Sequence, residues 1–382
     1  MYITSIKKNT GPGNSKAQLN LIDSLFGEYQ EPDIIIDAGR FIRTRTTSAS
    51  TNALMDLNNY DNNVRYLYRK ISNFLYGHEI PSMYYEFKIP KKSGGLRTID
   101  APNDELKTFM SEITHEFGNK FKLLTHDSAF AYVKNRCVVD AVKEHNNNGS
   151  RWFLKIDLHN FFGSCTKDFI VQQLKQIYPF AKHEAETPTK DLLNALADLA
   201  TLNNGLPQGT PLSPMLTNWI MIPYDYRINL LLNTLVKQEK LLKQRYIYTR
   251  YADDIIISAK EKFDKDIIVK EIKKLFEHSP LEINETKTRF GSNAGRNWNL
   301  GVMLNKDNNI TVGHKRKRYI KDNIYYFIKF KETWDKEQCR WLLGNLSWLQ
   351  NVEPEYCIGL LNYYKNKYSF DVLRELHLVL KR

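Results

Sequence analysis

Tyr251-Ala252-Asp253-Asp254 lies between two apolar runs, residues 245–251 and 255–258. Both flanks are rich in β-branched and aromatic side chains, the composition of strands, so the segment reads as a β-hairpin with two adjacent carboxylates at its tip. Alone, an acidic turn is as readily a solvated surface turn, because Asp is common in turns. Two carboxylates on one tight turn also suit a hard divalent cation, which prefers oxygen ligands. The rest of the chain decides between these readings.

About ninety residues upstream runs Arg151-Trp152-Phe153-Leu154-Lys155-Ile156-Asp157-Leu158-His159-Asn160-Phe161-Phe162-Gly163. Residues 152–158 read as a buried strand with one acid near its end, and a lone buried carboxylate is expensive unless paired or bound to a metal. Between the acid sites lies Gly205-Leu206-Pro207-Gln208-Gly209-Thr210-Pro211-Leu212-Ser213-Pro214. This is a stiff loop entering a helix, with Ser213 expected as N-cap and Pro214 in the first helical position. An acid on a strand, a Pro-Gln-Gly loop before a helix and an Asp-Asp hairpin, in that order, resemble the palm of a reverse transcriptase. The bacterial group of retron, group II intron and defence-associated enzymes is the most similar.

The resemblance extends over residues 83–304. Ile89-Pro90-Lys91-Lys92-Ser93-Gly94-Gly95-Leu96-Arg97-Thr98-Ile99 resembles the fingers hairpin that holds an incoming triphosphate; its Ser-Gly-Gly turn between strand-like flanks supports a hairpin independently,. Taken alone, its cations also fit a solvated sheet edge. Residues 126–136 resemble the next family block, with a buried strand and basic turn as the plain alternative. Residues 281–288, with Asn284 and Lys287, resemble the block after the acid hairpin, and residues 300–304 the primer-grip strands.

The resemblance implies an α+β, right-hand polymerase with fingers, a ferredoxin-like palm and a helical thumb. The expected division is 1–82 for an N-terminal extension and the start of the fingers, 83–150 for the fingers, 151–310 for the palm and 311–382 for the thumb. It implies RNA-directed DNA synthesis on two Mg²⁺ ions, with Mn²⁺ as a substitute. Asp157, Asp253 and Asp254 are the expected catalytic acids and metal ligands, with the Leu158 carbonyl beside them. Lys92 and Arg97 are expected on the triphosphate, Gln208 in the nucleotide pocket, and Phe162 against the sugar, excluding a 2′-hydroxyl. Phe161, on an extended segment, should turn to the opposite face and into the core. Lys287 and the run Lys315-Arg316-Lys317-Arg318 at the thumb are expected on nucleic acid; the run also fits a solvated helix start.

Composition agrees. A formal charge of +12 suits a polyanionic partner, and 12% aromatic residues suit base stacking,. Cys137, Cys165, Cys339 and Cys357 have no paired spacing, which argues against a zinc site and a disulfide framework and makes a reducing cytoplasm the expected setting,. No stretch has transmembrane length and no signal-peptide core opens the chain, so no membrane partner is expected. Expected partners are an RNA template or noncoding RNA, the DNA product, dNTPs, and a partner protein, second reverse transcriptase or second copy of this chain.

Past residue 311 the pattern is helical to the end at Arg382, with no room for an RNase H, maturase or endonuclease region, which points to retrons or stand-alone antiphage enzymes. Two departures from the retron pattern favour the antiphage class. Asp140-Ala141-Val142-Lys143-Glu144-His145 stands where retrons carry Asn-Ala-x-x-His, and Ile310-Thr311-Val312-Gly313 where they carry Val-Thr-Gly. Retron synthesis of msDNA, template-independent or protein-primed synthesis, ribonucleotide addition and an inactive nucleic-acid-binding scaffold stay open.

Overall fold

The computed structural model describes residues 57–90, 94–121, 125–183, 186–292, 298–299, 302–304 and 309–381. The N-terminal stretches at 16–26 and 40–50, Lys92, Leu300 and Gly301 lie outside the described residues.

Helix α1 (Leu57–Gly77) precedes an antiparallel hairpin of β1 (Tyr84–Pro90) and β2 (Leu96–Pro102), which pairs Ile89 with Arg97. Gly94 and Gly95 take positive φ, 88° and 80°, as its turn requires,. Helix α2 (Asp104–Phe121) buries Leu106, Met110, Ile113 and Phe117 at three- and four-residue spacings, the stripe of an amphipathic helix,. Residues 126–136 are not a strand. They form turns, touching the sheet through a single parallel bridge from Ala129 to Arg250. Helix α3 (Val138–Asn147) follows, unanticipated from the sequence because it spans only 10 residues,.

The central sheet begins with β3 (Trp152–His159). A single helical turn, α4 (Phe161–Ser164), leads into α5 (Lys167–Leu174) and α6 (Thr187–Ala200). The long α7 (Leu212–Lys237) begins earlier than its expected cap. Pro211 already has helical backbone (φ −66°, ψ −30°), so Ser213 falls inside the first turn, where its N–H donates to Thr210 Oγ1 at 3.2 Å. Thr210 therefore supplies the capping oxygen expected of Ser213. Strands β4 (Ile247–Tyr251) and β5 (Asp254–Ala259), helix α8 (Lys265–Phe276), and strands β6 (Glu282–Ile283) and β7 (Arg289–Ser292) complete the layer. The sheet order is β4-β5-β3-β6, all antiparallel, with β7 pairing the other half of β3. Counting from β3, this is the second, third, first and fourth strand, the split β-α-β order of a ferredoxin-like palm.

The strands around position 300, expected as the primer grip, form a separate sheet. Strands β8 (Trp298–Asn299), β9 (Val302–Leu304) and β10 (Ile310–Thr311) make a three-stranded antiparallel sheet. The expected palm–thumb division between 310 and 311 falls within β10. Four helices follow: α9 (His314–Phe330), α10 (Lys336–Val352), α11 (Pro354–Tyr368) and α12 (Val372–Lys381). Their core of Ile320, Phe327, Leu342 and Leu376 is continuous with Val139 and Val142 of α3 and with Phe153 and Ile256 of the sheet. No described helix is long and apolar enough to cross a membrane.

The two departures from the retron pattern have local explanations. Asp140 Oδ2 accepts from the backbone N–H of Cys137 at 3.0 Å and its thiol at 3.1 Å, capping α3. The position needs an acceptor, which Asp or Asn supplies. Thr311 Oγ1 donates to Glu353 Oε1 at 2.8 Å and accepts from the Gly313 N–H at 3.1 Å, while Gly313 takes φ 80° before α9. The intervening Val312 is buried and its N–H donates to Glu353 at 2.8 Å.

Candidate active site

Side chains alternate across a strand, so each strand of the central sheet divides its residues between two faces. Asp157 pairs with Asp254 across β3 and β5, and Tyr251 pairs with Asp254 across β4 and β5. The three form one row on one face. Ala252 and Asp253 make the two-residue connection, with Ala252 held at φ 57°. Asp253 is docked through its backbone: the Leu158 N–H donates to the Asp253 carbonyl at 3.2 Å. All three acids thus stand at one end of the sheet, on segments 96 residues apart in sequence.

Their electrostatics are unbalanced. Burial pushes the Asp253 carboxyl above the usual carboxylate range, and Asp254 and Asp157 add to it. Burial also raises the Asp254 carboxyl, opposed by Lys155, whose ammonium lies 2.8 Å from Oδ1. Lys287 donates to Asp157 at 3.2 and 3.0 Å. The Lys287 segment is set by backbone pairing, with Leu158 opposite Ile283 and the Asn284 N–H donating to the Asp157 carbonyl at 2.8 Å. Lys287, expected on nucleic acid, here meets Asp157 of the acid group. Among the described residues no three His, Cys, Asp or Glu side chains already form a metal cage. The donor chemistry nonetheless fits Mg²⁺, which binds hard oxygens and takes few carboxylates. Crowded acids with raised pKa are the groups a divalent cation relieves.

The opposite face carries the reverse arrangement. Arg250 and Asp225 have fully buried side chains. Arg250 Nε and Nη2 donate to the two Asp225 oxygens, both at 2.8 Å, and Tyr248 donates to the same carboxylate at 2.5 Å. Arg250 Nη1 reaches Asn218 Oδ1 and the Ala252 carbonyl, each at 3.2 Å. The Arg250 guanidinium of β4, anchored through its bidentate fork to Asp225 of α7, therefore also holds the turn that carries Asp253,. Sequence reading missed this group; Arg250 in an otherwise apolar strand and Asp225 in an apolar helix were its only signals.

The Pro-Gln-Gly loop is fastened at both ends. A Cβ on Gly205 would stand 2.5 Å from the Gly163 carbonyl oxygen, so backbone meets backbone directly, and the Leu206 N–H donates to the Phe162 carbonyl at 3.0 Å. At Gly209 (φ 116°) an added Cβ would meet the Ile99 side chain of β2 at 3.2 Å. Gln208, half-buried, is thus held between the end of β3 and the fingers hairpin, where Arg97 is exposed. Phe161 is buried and Phe162 half-buried. The segment is helical rather than extended, and successive helical positions also diverge. Phe162 lies edge-on to Tyr132, ring centroids 6.5 Å apart.

The four thumb cations are divided. Lys315 and Arg318 are exposed. Arg316 donates to Asn345 at 3.1 Å. Lys317 pairs with Glu353 and lies 4.1 Å from the Tyr356 ring centre.

A family described as reverse transcriptase (RNA-dependent DNA polymerase) matches residues 89–342, about two thirds of the chain. The retron Ec83 reverse transcriptase of Escherichia coli is 29% identical over 294 residues, covering 74% of this chain and 88% of its own. The retron Ec73 reverse transcriptase of the same organism is 27% identical, covering 73% and 86%. Telomerase from Candida albicans, solved with a fragment of telomeric RNA, gives a looser likeness that adds nothing to the assignment: TM-score 0.41, 13% identity, 76% of this chain and 56% of that one. The family is generally dependent on a divalent metal. The matched span runs from the fingers hairpin through the three acids into the thumb helices, and the chain belongs to the reverse transcriptase family, an RNA-directed DNA polymerase of retron-like type.

Proposed function

We propose that Asp157, Asp253 and Asp254, with the Leu158 carbonyl, hold two Mg²⁺ ions and that the chain copies a dedicated noncoding RNA into DNA. The observation that carries the metal site is the pairing of Asp157 with Asp254 beside the Asp253 turn. When bound, the ions would lower the pKa of the primer 3′-hydroxyl and neutralise charge on the leaving pyrophosphate. Lys287 and Lys155 orient the Asp157 and Asp254 carboxylates through their ion pairs. Arg97 binds the triphosphate through its planar fork, with Lys92 as the second triphosphate-binding cation. Gln208 lines the nucleotide pocket, and Phe162 excludes the 2′-hydroxyl. Lys315 and Arg318 meet the phosphates of the template–primer duplex.

The retron relatives support a retron-type product, a DNA copied from an associated RNA; we place this product in an antiphage system, with a partner protein or second copy completing the assembly. The test is primer extension on an RNA template with dNTPs, with and without Mg²⁺, together with sequencing of the nucleic acid that co-purifies. Extension in EDTA, or extension by the Asp253→Ala/Asp254→Ala chain, defeats the metal site. A purified active particle free of any defined RNA defeats the noncoding template.

A further inference from the structure

Tyr132 holds a backbone that its side chain disfavours. Its φ is 59°, in the left-handed region that bulky residues rarely enter,. Its ring is 54% exposed, so packing does not require a tyrosine there. Such strain persists only where the surroundings over-determine it, and here they do. Asn218 donates to the Ala131 carbonyl at 2.8 Å. Arg136 Nη1 donates to the carbonyls of His126, Asp127 and Ala129 at 3.0, 3.2 and 2.7 Å. The Phe130 N–H donates to the Arg250 carbonyl at 2.9 Å, and the Arg250 N–H to the Ser128 carbonyl at 2.6 Å. The loop presenting Tyr132 is thus clamped to the same β4 and α7 residues that hold the acid turn.

The ring packs on the residue expected against the nucleotide sugar. It meets Phe162 edge-to-face, the planes 80° apart, a favoured aromatic geometry. Its hydroxyl senses both sides of the cleft: partial burial raises its pKa, Asp253 and Tyr251 add to this, and Arg97 opposes it. The fingers cation and the acid turn thus both act on the Tyr132 hydroxyl, and its ring packs against the ring assigned to sugar selection.

We infer that Tyr132 is a specificity-determining residue: its ring braces Phe162, and the two form a corner against the sugar of the incoming nucleotide. This rests on the nucleotide-pocket reading of Phe162. Without the brace, the Phe162 ring can turn away from the sugar and admit a 2′-hydroxyl. The strained backbone is the means by which a surface loop aims a large ring at that position.

The experiment is dNTP against rNTP competition in primer extension by the full chain, with a melting curve for each variant. Tyr132→Gly removes the ring and the backbone strain together. It should melt at or above the wild-type temperature, yet lose about tenfold in dNTP preference, a change on the scale of 1.4 kcal/mol. Tyr132→Phe, which keeps the ring, should restore most of the preference. In a Phe162→Ala background, Tyr132→Gly should add nothing, because the two act as one unit. Unchanged preference in Tyr132→Gly, with loss in Phe162→Ala, overturns the brace and leaves the Phe162 reading intact. Loss in Tyr132→Gly with none in Phe162→Ala overturns both. Equal, additive losses overturn the coupling.

Discussion

The central sheet carries charge on both faces, and the two clusters are built on opposite terms. On one face Arg250 and Asp225 are sealed from solvent, matched one to one and tied by Tyr248 and Asn218. On the other, Asp157, Asp253 and Asp254 crowd together with the Asp253 and Asp254 carboxyls pushed up, and among the described residues the ammoniums of Lys155 and Lys287 face them. A buried pair that satisfies itself holds shape. A crowded set of like charges is tolerated because something else is to neutralise it. The Ala252 carbonyl joins them: the satisfied cluster donates to the turn that carries the unsatisfied one.

The largest expected effect breaks the unsatisfied side. Asp253→Ala/Asp254→Ala should lower DNA synthesis on an RNA template by at least about a thousandfold, since metal-borne charge stabilisation amounts to several kcal/mol. Its circular dichroism should match wild type. Breaking the satisfied side should give the opposite pattern. Arg250→Met leaves Asp225 buried and unpaired and should destabilise the chain by about 3–5 kcal/mol, read by urea unfolding, with synthesis falling in step with the folded fraction plus any loosening of the turn. If Arg250→Met keeps its stability while Asp253→Ala/Asp254→Ala unfolds, the comparison is reversed.

The same distinction sharpens the thumb cations. Lys315→Ala and Arg318→Ala should each reduce the slope of log binding against log salt by about 1, the loss of one phosphate contact. Lys317→Ala should leave that slope nearly unchanged and lower the melting temperature instead, because its partner is Glu353. A lost salt slope in Lys317→Ala would return that lysine to the nucleic acid.

The smallest effect concerns pH. Asp253 has a raised pKa in the folded state, so the folded chain holds that proton more tightly than the unfolded chain. Stability therefore falls as pH rises from the ordinary value of 3.8 through the folded value, and the penalty is complete at neutral pH,. Asp253→Asn removes it. In EDTA at pH 7 the variant should melt roughly a few degrees higher at most, solvent screening limiting the gain. Below pH 3.8 the two chains should melt together. A variant that melts lower at pH 7 would show that the acids are not crowded.

The sequence by itself determined the elements with a strong short-range pattern. β-branched and aromatic composition set the acid hairpin, an apolar run set the Asp157 strand, and the helical pattern past residue 311 set the thumb helices, because those signals lie within a few residues. Where competing local chemistry decided, boundaries moved. Pro211 was already helical and displaced the cap from Ser213 to Thr210, and the short α3 carried too few turns to stand out. Tertiary structure alone decided partners. No local rule could direct Arg250 to Asp225, Lys317 to Glu353, Lys287 to Asp157, or Tyr132 into a left-handed backbone against Phe162. Each pairs residues 25 or more positions apart, and which charge or ring meets which is fixed only when the sheet, the helix behind it and the clamped loops have packed.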